Sequence, residues 1–180
     1  MWPLQPPVDV TTPSRLRPQP FQDIRFVADV NVGKLASFLR MLGFDTYYRP
    51  DLQDAECARL AAAEQRIVLT KDAKLLKRKL IVHGHLVREV HPRRQLQEVV
   101  HFYGLDSSLA PFSRCLRCNA LLEPIDKEAV LHRLEPLTKK YYDRFHRCPG
   151  CDQIYWSGSH REKMEHLLAA LNLKSSIARS

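Results

Sequence analysis

No stretch of the chain approaches the roughly 20 consecutive apolar residues that cross a bilayer, so no transmembrane helix is expected. Residues 1–20 lack both the basic start and the apolar stretch of a secretory leader. They hold six of the twelve prolines and are expected to form a disordered or extended tail. There is no internal repeat. Nothing reads as a disulfide framework either, because five cysteines without a leader are expected to stay reduced in the cytoplasm. Acidic residues are the minority, 20 against 28 Lys and Arg, and the net charge of +8 with a pI near 9.4 favours a polyanionic partner. With 44% hydrophobic and 27% charged residues, general disorder is excluded. A length of 180 residues suits a domain of about 100 residues plus a small appended module.

What is present alternates between two periods. Residues 24–28 read as a strand that runs into Asp29, and Leu35, Phe38, Leu39 and Leu42 define an amphipathic helix over 32–42. Asn31 is a candidate N-cap for that helix and Gly43 a left-handed close. A β-prone run over 44–48, a helix over 52–65 and the apolar run Ile67-Val68-Leu69-Thr70 follow. A third helix over 73–79, a strand over 86–90 and a fourth helix carrying Leu96, Val99, Val100 and Tyr103 complete the series, ended by Gly104. The alternation predicts an α/β fold, a compact parallel sheet covered by helices, over residues 21–106. Residues 105–114 read as a linker. A second module is expected over 107–173, closed by a helix with Met164, Leu167, Leu168 and Leu171 on one face, before a flexible terminus at 174–180.

Four cysteines form two pairs, Cys115-Leu116-Arg117-Cys118 and Cys148-Pro149-Gly150-Cys151. Each spacing lets both thiolates of a pair reach one ion, and two pairs complete the tetrahedral sphere of structural Zn²⁺. An iron–sulfur cluster fits the same count. The knuckles stand 29 residues apart, beyond the usual 15–20, so an excursion is inserted between them. The fifth, Cys57, lies among alanines in a predicted helix and reads as a small buried hydrophobe.

Asp29 and Asp72 each stand just past the end of a predicted parallel strand, and Asp54 opens the helix after another. That edge is where open α/β sheets bind ligands. Three carboxylates converging there call for a hard cation, Mg²⁺ or Mn²⁺. Helix capping is the competing role for Asp54, three residues after Asp51, and for Asp72. Residues 71–94 carry eight basic side chains against Asp72 and Glu89. Of these, Lys71, Lys74, Lys77, Arg78, Lys79, Arg93 and Arg94 are the candidate RNA contacts, a solvated face being the alternative.

Several blocks together resemble the Mut7-C family, PIN-like ribonuclease domains fused to a zinc ribbon. They are Phe26-Val27-Ala28-Asp29, Gly33-Lys34-Leu35-Ala36, Leu39 to Thr46, Ile67 to Asp72, the two knuckles with Asn119, and Ile154 to His160. The resemblance implies that Asp29, Asp54 and Asp72 hold a catalytic Mg²⁺ or Mn²⁺ for hydrolysis of RNA. Many PIN domains place another acid in mid-chain, and Asp45 and Asp51 are the available substitutes here. Asn31 could add an oxygen ligand or cap a helix, and Thr70 could orient the Asp72 loop or merely fill a strand. Tyr155 and Trp156 could stack on bases or pack the ribbon core. His160 could support the knuckle or begin a helix. The implied activity is a metal-dependent ribonuclease, endonucleolytic, with the ribbon positioning RNA or a partner. A non-catalytic RNA- or ribosome-binding module is the rival, and a nuclease held by an antitoxin is a third reading.

Overall fold

A computed structural model of the chain describes residues 7–13 and 20–156. Its first sheet is built on short strands, apolar along its central pair up to Thr70. β1 (Phe26–Ala28) and β3 (Ile67–Thr70) lie side by side and parallel, Phe26 opposite Ile67 and Ala28 opposite Leu69. β2 (Thr46–Tyr47) flanks β1 and β4 (Gly84–Leu86) flanks β3, giving the all-parallel order β2-β1-β3-β4. Because successive side chains point to opposite faces, Phe26, Ala28, Ile67 and Leu69 join one core while Val27 and Val68 join another. Burial on both faces is why these strands read as continuous apolar runs rather than alternating ones.

α1 (Gly33–Met41) and α3 (Pro92–Tyr103) cover the first face, bringing Leu35, Leu39, Leu96 and Val99 onto it. α2 (Asp54–Ala63) covers the other with Cys57 and Ala61. Cys57 is thus the buried small hydrophobe its alanine context predicts. The sequence places these elements within a few residues, with two differences. The helix expected over 73–79 is a single 3-10 turn at Leu75–Lys77. Only Leu75 there is fully buried, and one apolar anchor beside Lys77, Arg78 and Lys79 cannot offset helix nucleation. The strand expected over 86–90 instead ends at Leu86, because the Arg88 and Glu89 amides turn away to the buried Glu98 carboxylate.

Residues 7–13 of the tail are tied to the sheet-bearing domain. The Val8 amide donates to Phe102, the Phe21 amide to Val10, and Val10 is fully buried in the core under α3. No helix among the described residues is long and apolar enough to cross a membrane.

After a further 3-10 turn at Leu105–Ser107, the second module is an antiparallel sheet of β5 (Glu123–Ile125), β6 (Phe145–Arg147) and β7 (Ile154–Trp156). The short helices α4 (Lys127–Val130) and α5 (Pro136–Tyr141) form the excursion between the knuckles. The apolar core of this module, among the described residues, is Val130, Leu134, Phe145 and Ile154, with Trp156 against it. The helix expected to close it, and His160, lie outside the described residues.

Both predicted helix-ending glycines adopt positive φ, +96° at Gly43 and +62° at Gly104. At Gly43 a Cβ would also collide with the Ala110 carbonyl, where the chain crosses between modules. Gly43→Ala is therefore expected to destabilise the protein by roughly 2–4 kcal/mol, read as a lowered midpoint in a denaturant melt.

Candidate active site and metal centre

Chain direction reverses across the sheet between β1 and β3: the connection from β1 leads to one side, and the next crossover returns to the other. Crevices at such switch points, beyond the carboxyl ends of the strands, are where ligands bind. Asp29 and Asp72 sit at this one, joined by a hydrogen-bond relay. Asp29 is only 4% exposed. Its Oδ1 accepts from the Val30 amide at 2.6 Å, and its Oδ2 accepts from Asn31 Nδ2 and Thr70 Oγ1, both at 2.6 Å. Thr70 Oγ1 in turn accepts from the Asp72 amide at 2.9 Å, and Asp72 Oδ1 accepts from the Lys74 amide at 2.7 Å. Thr70 is thus the link between the two acids rather than strand filler.

Asn31 does not cap α1, whose first turn has no side-chain cap. Asp29 caps the preceding 3-10 turn instead, and Asn31 bridges the two strand ends, its Oδ1 accepting from the Lys71 amide at 3.1 Å. Among the described residues, no Lys, Arg or His lies within ion-pair distance of Asp29 or Asp72. A buried carboxylate satisfied by hydrogen bonds alone still lacks a counter-charge.

Asp54 begins α2 with no capping-box bond, since the N-cap is Gln53 and makes no side-chain capping bond. Its Oδ2 lies 3.6 Å from Arg78 Nη2, both groups being well exposed. Cys57 lies within electrostatic reach of both Asp29 and Asp54. Burial first, and then these two charges, push its thiol up to about 12, so it is not a nucleophile. Asp51 is on the surface, paired with Arg49 at 2.6 Å, and Arg49 also holds Glu56. The three acids do not gather their oxygens as closely as metal ligands do. Among the described residues, the one group of three or more His, Cys, Asp or Glu that does so is Cys115, Cys118, Cys148 and Cys151. Lys71, Lys74, Lys77, Arg78, Lys79, Arg93 and Arg94 are all exposed.

The four sulfurs lie within 4.8 Å of one another, Cys115 and Cys151 at 3.5 Å and Cys118 and Cys148 at 3.2 Å. These separations are far too long for disulfides. They bracket the about 3.8 Å expected between ligands 2.3 Å from a tetrahedral ion, so the quartet could hold Zn²⁺. The Tyr155 hydroxyl accepts from the Leu116 amide at 3.1 Å and lies 3.0 Å from Cys115 Sγ, which leaves its proton for the sulfur. Burial opposes ionisation of Cys115, but hydrogen bonds from Tyr155 and from the Cys118 and Arg117 amides outweigh it and bring the thiol to about 6. Tyr155 and Trp156 are therefore engaged within the module, one on a cysteine and the other against Phe145.

Asp45 is at the wrong edge for the candidate active site. It precedes β2 and faces the amino ends of the strands, where Arg66 Nη1 donates to it at 2.6 Å and Asn119 Nδ2 at 2.8 Å. Arg114 stands 3.7 Å away. Asp45 is a fastener between modules, as are Asn119 and Arg40, while Arg66 holds Asp45 from within the first module. Arg40 carried one signal: it stands four residues after Ala36, on the face of α1 that is otherwise apolar. Burial works against the Asp45 charge, but the bonds from Arg66 and Asn119 hold its carboxyl below the usual range. A depressed folded-state pKa gives stability that is present above the unfolded value, near 3.8, and lost as pH falls through the folded one. Asp45→Asn should lower stability at pH 7 and make its decline below about pH 4 shallower, as measured by denaturant melts across pH.

No curated protein and no solved structure matches the chain. A family model described as Mut7-C RNAse domain matches residues 24–168. That span runs from β1 through both knuckles and takes in the Asp29 relay and the cysteine quartet. The chain belongs to the Mut7-C RNAse domain family.

Proposed function

We propose that this chain is a metal-dependent ribonuclease that hydrolyses RNA phosphodiester bonds endonucleolytically, at the edge carrying Asp29 and Asp72. The observation that carries the reading is Asp29: a buried carboxylate at the switch point of a parallel sheet, fixed by three donors and paired with no cation among the described residues. Such a group suits a hard divalent ion, Mg²⁺ or Mn²⁺, which when bound lowers the pKa of an attacking water and neutralises charge on the scissile phosphate.

Asp29 and Asp72 would hold the ion, with Asp54 released from Arg78 to complete the set. Thr70 keeps the two strand-end acids in register by bonding the Asp29 carboxylate and the Asp72 amide at once. Asn31 does the same for the Lys71 amide and keeps the basic loop beside the acids. Lys71, Lys74, Lys77, Arg78 and Lys79 follow β3 directly and would bind the phosphate backbone, with Arg93 and Arg94 at the start of α3 extending the track. The four cysteines would hold a structural Zn²⁺, since a closed four-thiolate sphere leaves no position for water.

One observation favours a second reading. The three acids are not gathered as a ligand set, as a non-catalytic RNA-binding module would also permit. Variants separate the two. Asp29→Asn and Asp72→Asn are expected to abolish Mn²⁺-dependent cleavage of a labelled RNA, a loss of at least about a hundredfold, while retaining RNA affinity and the thermal melt. Wild-type cleavage in both variants would remove the acids from catalysis. Absence of cleavage by the unaltered protein, with salt-dependent RNA binding intact, would leave the binding module.

A further inference from the structure

α1 carries a buried guanidinium that pairs with no carboxylate. Arg40 is 3% exposed, and no Asp or Glu among the described residues lies within ion-pair distance of it. Its donors all go to backbone carbonyls: Nε to Thr46 at 2.8 Å, Nη1 to Leu116 and to Arg117 at 3.0 Å each, and Nη2 to Tyr48 at 3.4 Å. Carbonyl dipoles satisfy the hydrogen bonds of a buried cation but leave its charge uncompensated, and an uncompensated buried charge is costly. Burial accordingly depresses the Arg40 pKa. The groups that oppose this effect are Cys115 first, then Cys118, Asp45 and Tyr155.

The chemistry of the quartet supplies what is missing. Four thiolates around one divalent ion keep a net negative charge, and Arg40 is the buried cation beside them. Leu116 and Arg117 are the two residues between Cys115 and Cys118, so the same guanidinium grips the turn that presents two of the ligands. The adjoining Asn119, at φ +73°, accepts from the Thr46 amide at 3.0 Å and donates to Asp45. Both backbone groups of Thr46, the first residue of β2, are thereby spent on the knuckle or on the arginine that holds it.

We infer that Arg40 is the counter-cation of the four-cysteine metal centre and a positioning residue for its first knuckle, so that metal occupancy and folding of the α1–β2 corner are one equilibrium. Metal loss would then uncover a buried positive charge inside the sheet-bearing domain, and the effect would not stop at the ribbon. The inference stands on the seam between the modules and holds whether or not the acids cleave RNA.

The test uses the full chain as purified, with its metal. Release of Zn²⁺ to a chromophoric chelator is expected to be at least about tenfold faster for Arg40→Met, which keeps the stem and removes charge and fork. Arg40→Lys keeps the charge without the fork and should fall between Met and wild type. Release from Arg40→Met at the wild-type rate would overturn the inference, as would a purified chain that binds no metal. Should the Met variant not fold, amide exchange on the unaltered protein decides. Stripping the metal is expected to cut protection at 33–47 while 67–70 and 92–103 keep theirs, and unchanged protection at 33–47 overturns the inference.

Discussion

The parallel pairing of β1 with β3 is the interaction on which the rest of the structure depends. It places Phe26 and Ala28 beside Ile67 and Leu69 on one face and Val27 beside Val68 on the other, so both cores are seeded by one strand pair. Parallel register also forces both strands to end at the same edge. The pairing continues one residue past β1, where the Asp29 amide donates to Leu69 at 2.9 Å. Asp29 therefore cannot avoid the neighbourhood of Thr70 and Asp72. A site made by strand register needs no loop to fold around it, which is how strands of three and four residues carry a preorganised pair of acids.

The two edges of this sheet serve different ends. At the carboxyl edge, Asp29 is held by hydrogen bonds alone, with no cationic side chain among the described residues paired with it. At the amino edge, charges are matched closely: Arg66 and Asn119 meet Asp45, and Arg114 stands beside them. The second module is fastened there by polar bonds over a small apolar core of its own. A module with so few buried apolar side chains among the described residues would draw on a metal held by the four cysteines, and on its neighbour, for folding. Arg40 stands where the two meet, bonded to the Leu116 and Arg117 carbonyls between the first two cysteines.

Much of this was legible in the sequence where local chemistry decides the outcome. Apolar runs announced β1 and β3, and their ends located Asp29 and Asp72; the C-x-x-C spacing located the quartet. Where contacts are distant in sequence the signal vanishes. Nothing near Asp45 indicates that its partner is Asn119, 74 residues on, so an acid that serves the seam was a candidate for the active site. The place of Arg40 on the apolar face of α1 marks it as buried, but its partners, the carbonyls of Leu116 and Arg117, lie more than 70 residues on. The segment over 73–79 misleads for the opposite reason: its residues favour a helix, but only Leu75 finds a core to join.

Anomalous diffraction from crystals of the Zn²⁺-loaded protein soaked in Mn²⁺ decides whether the Asp29–Thr70–Asp72 edge is a divalent-cation site. The expected result is a manganese peak in contact with Asp29 and Asp72, with Asp54 turned from Arg78 toward it, and a zinc peak among the four cysteines. Full Mn²⁺ occupancy elsewhere, with Asp29 still holding only its three hydrogen-bond donors, would contradict it.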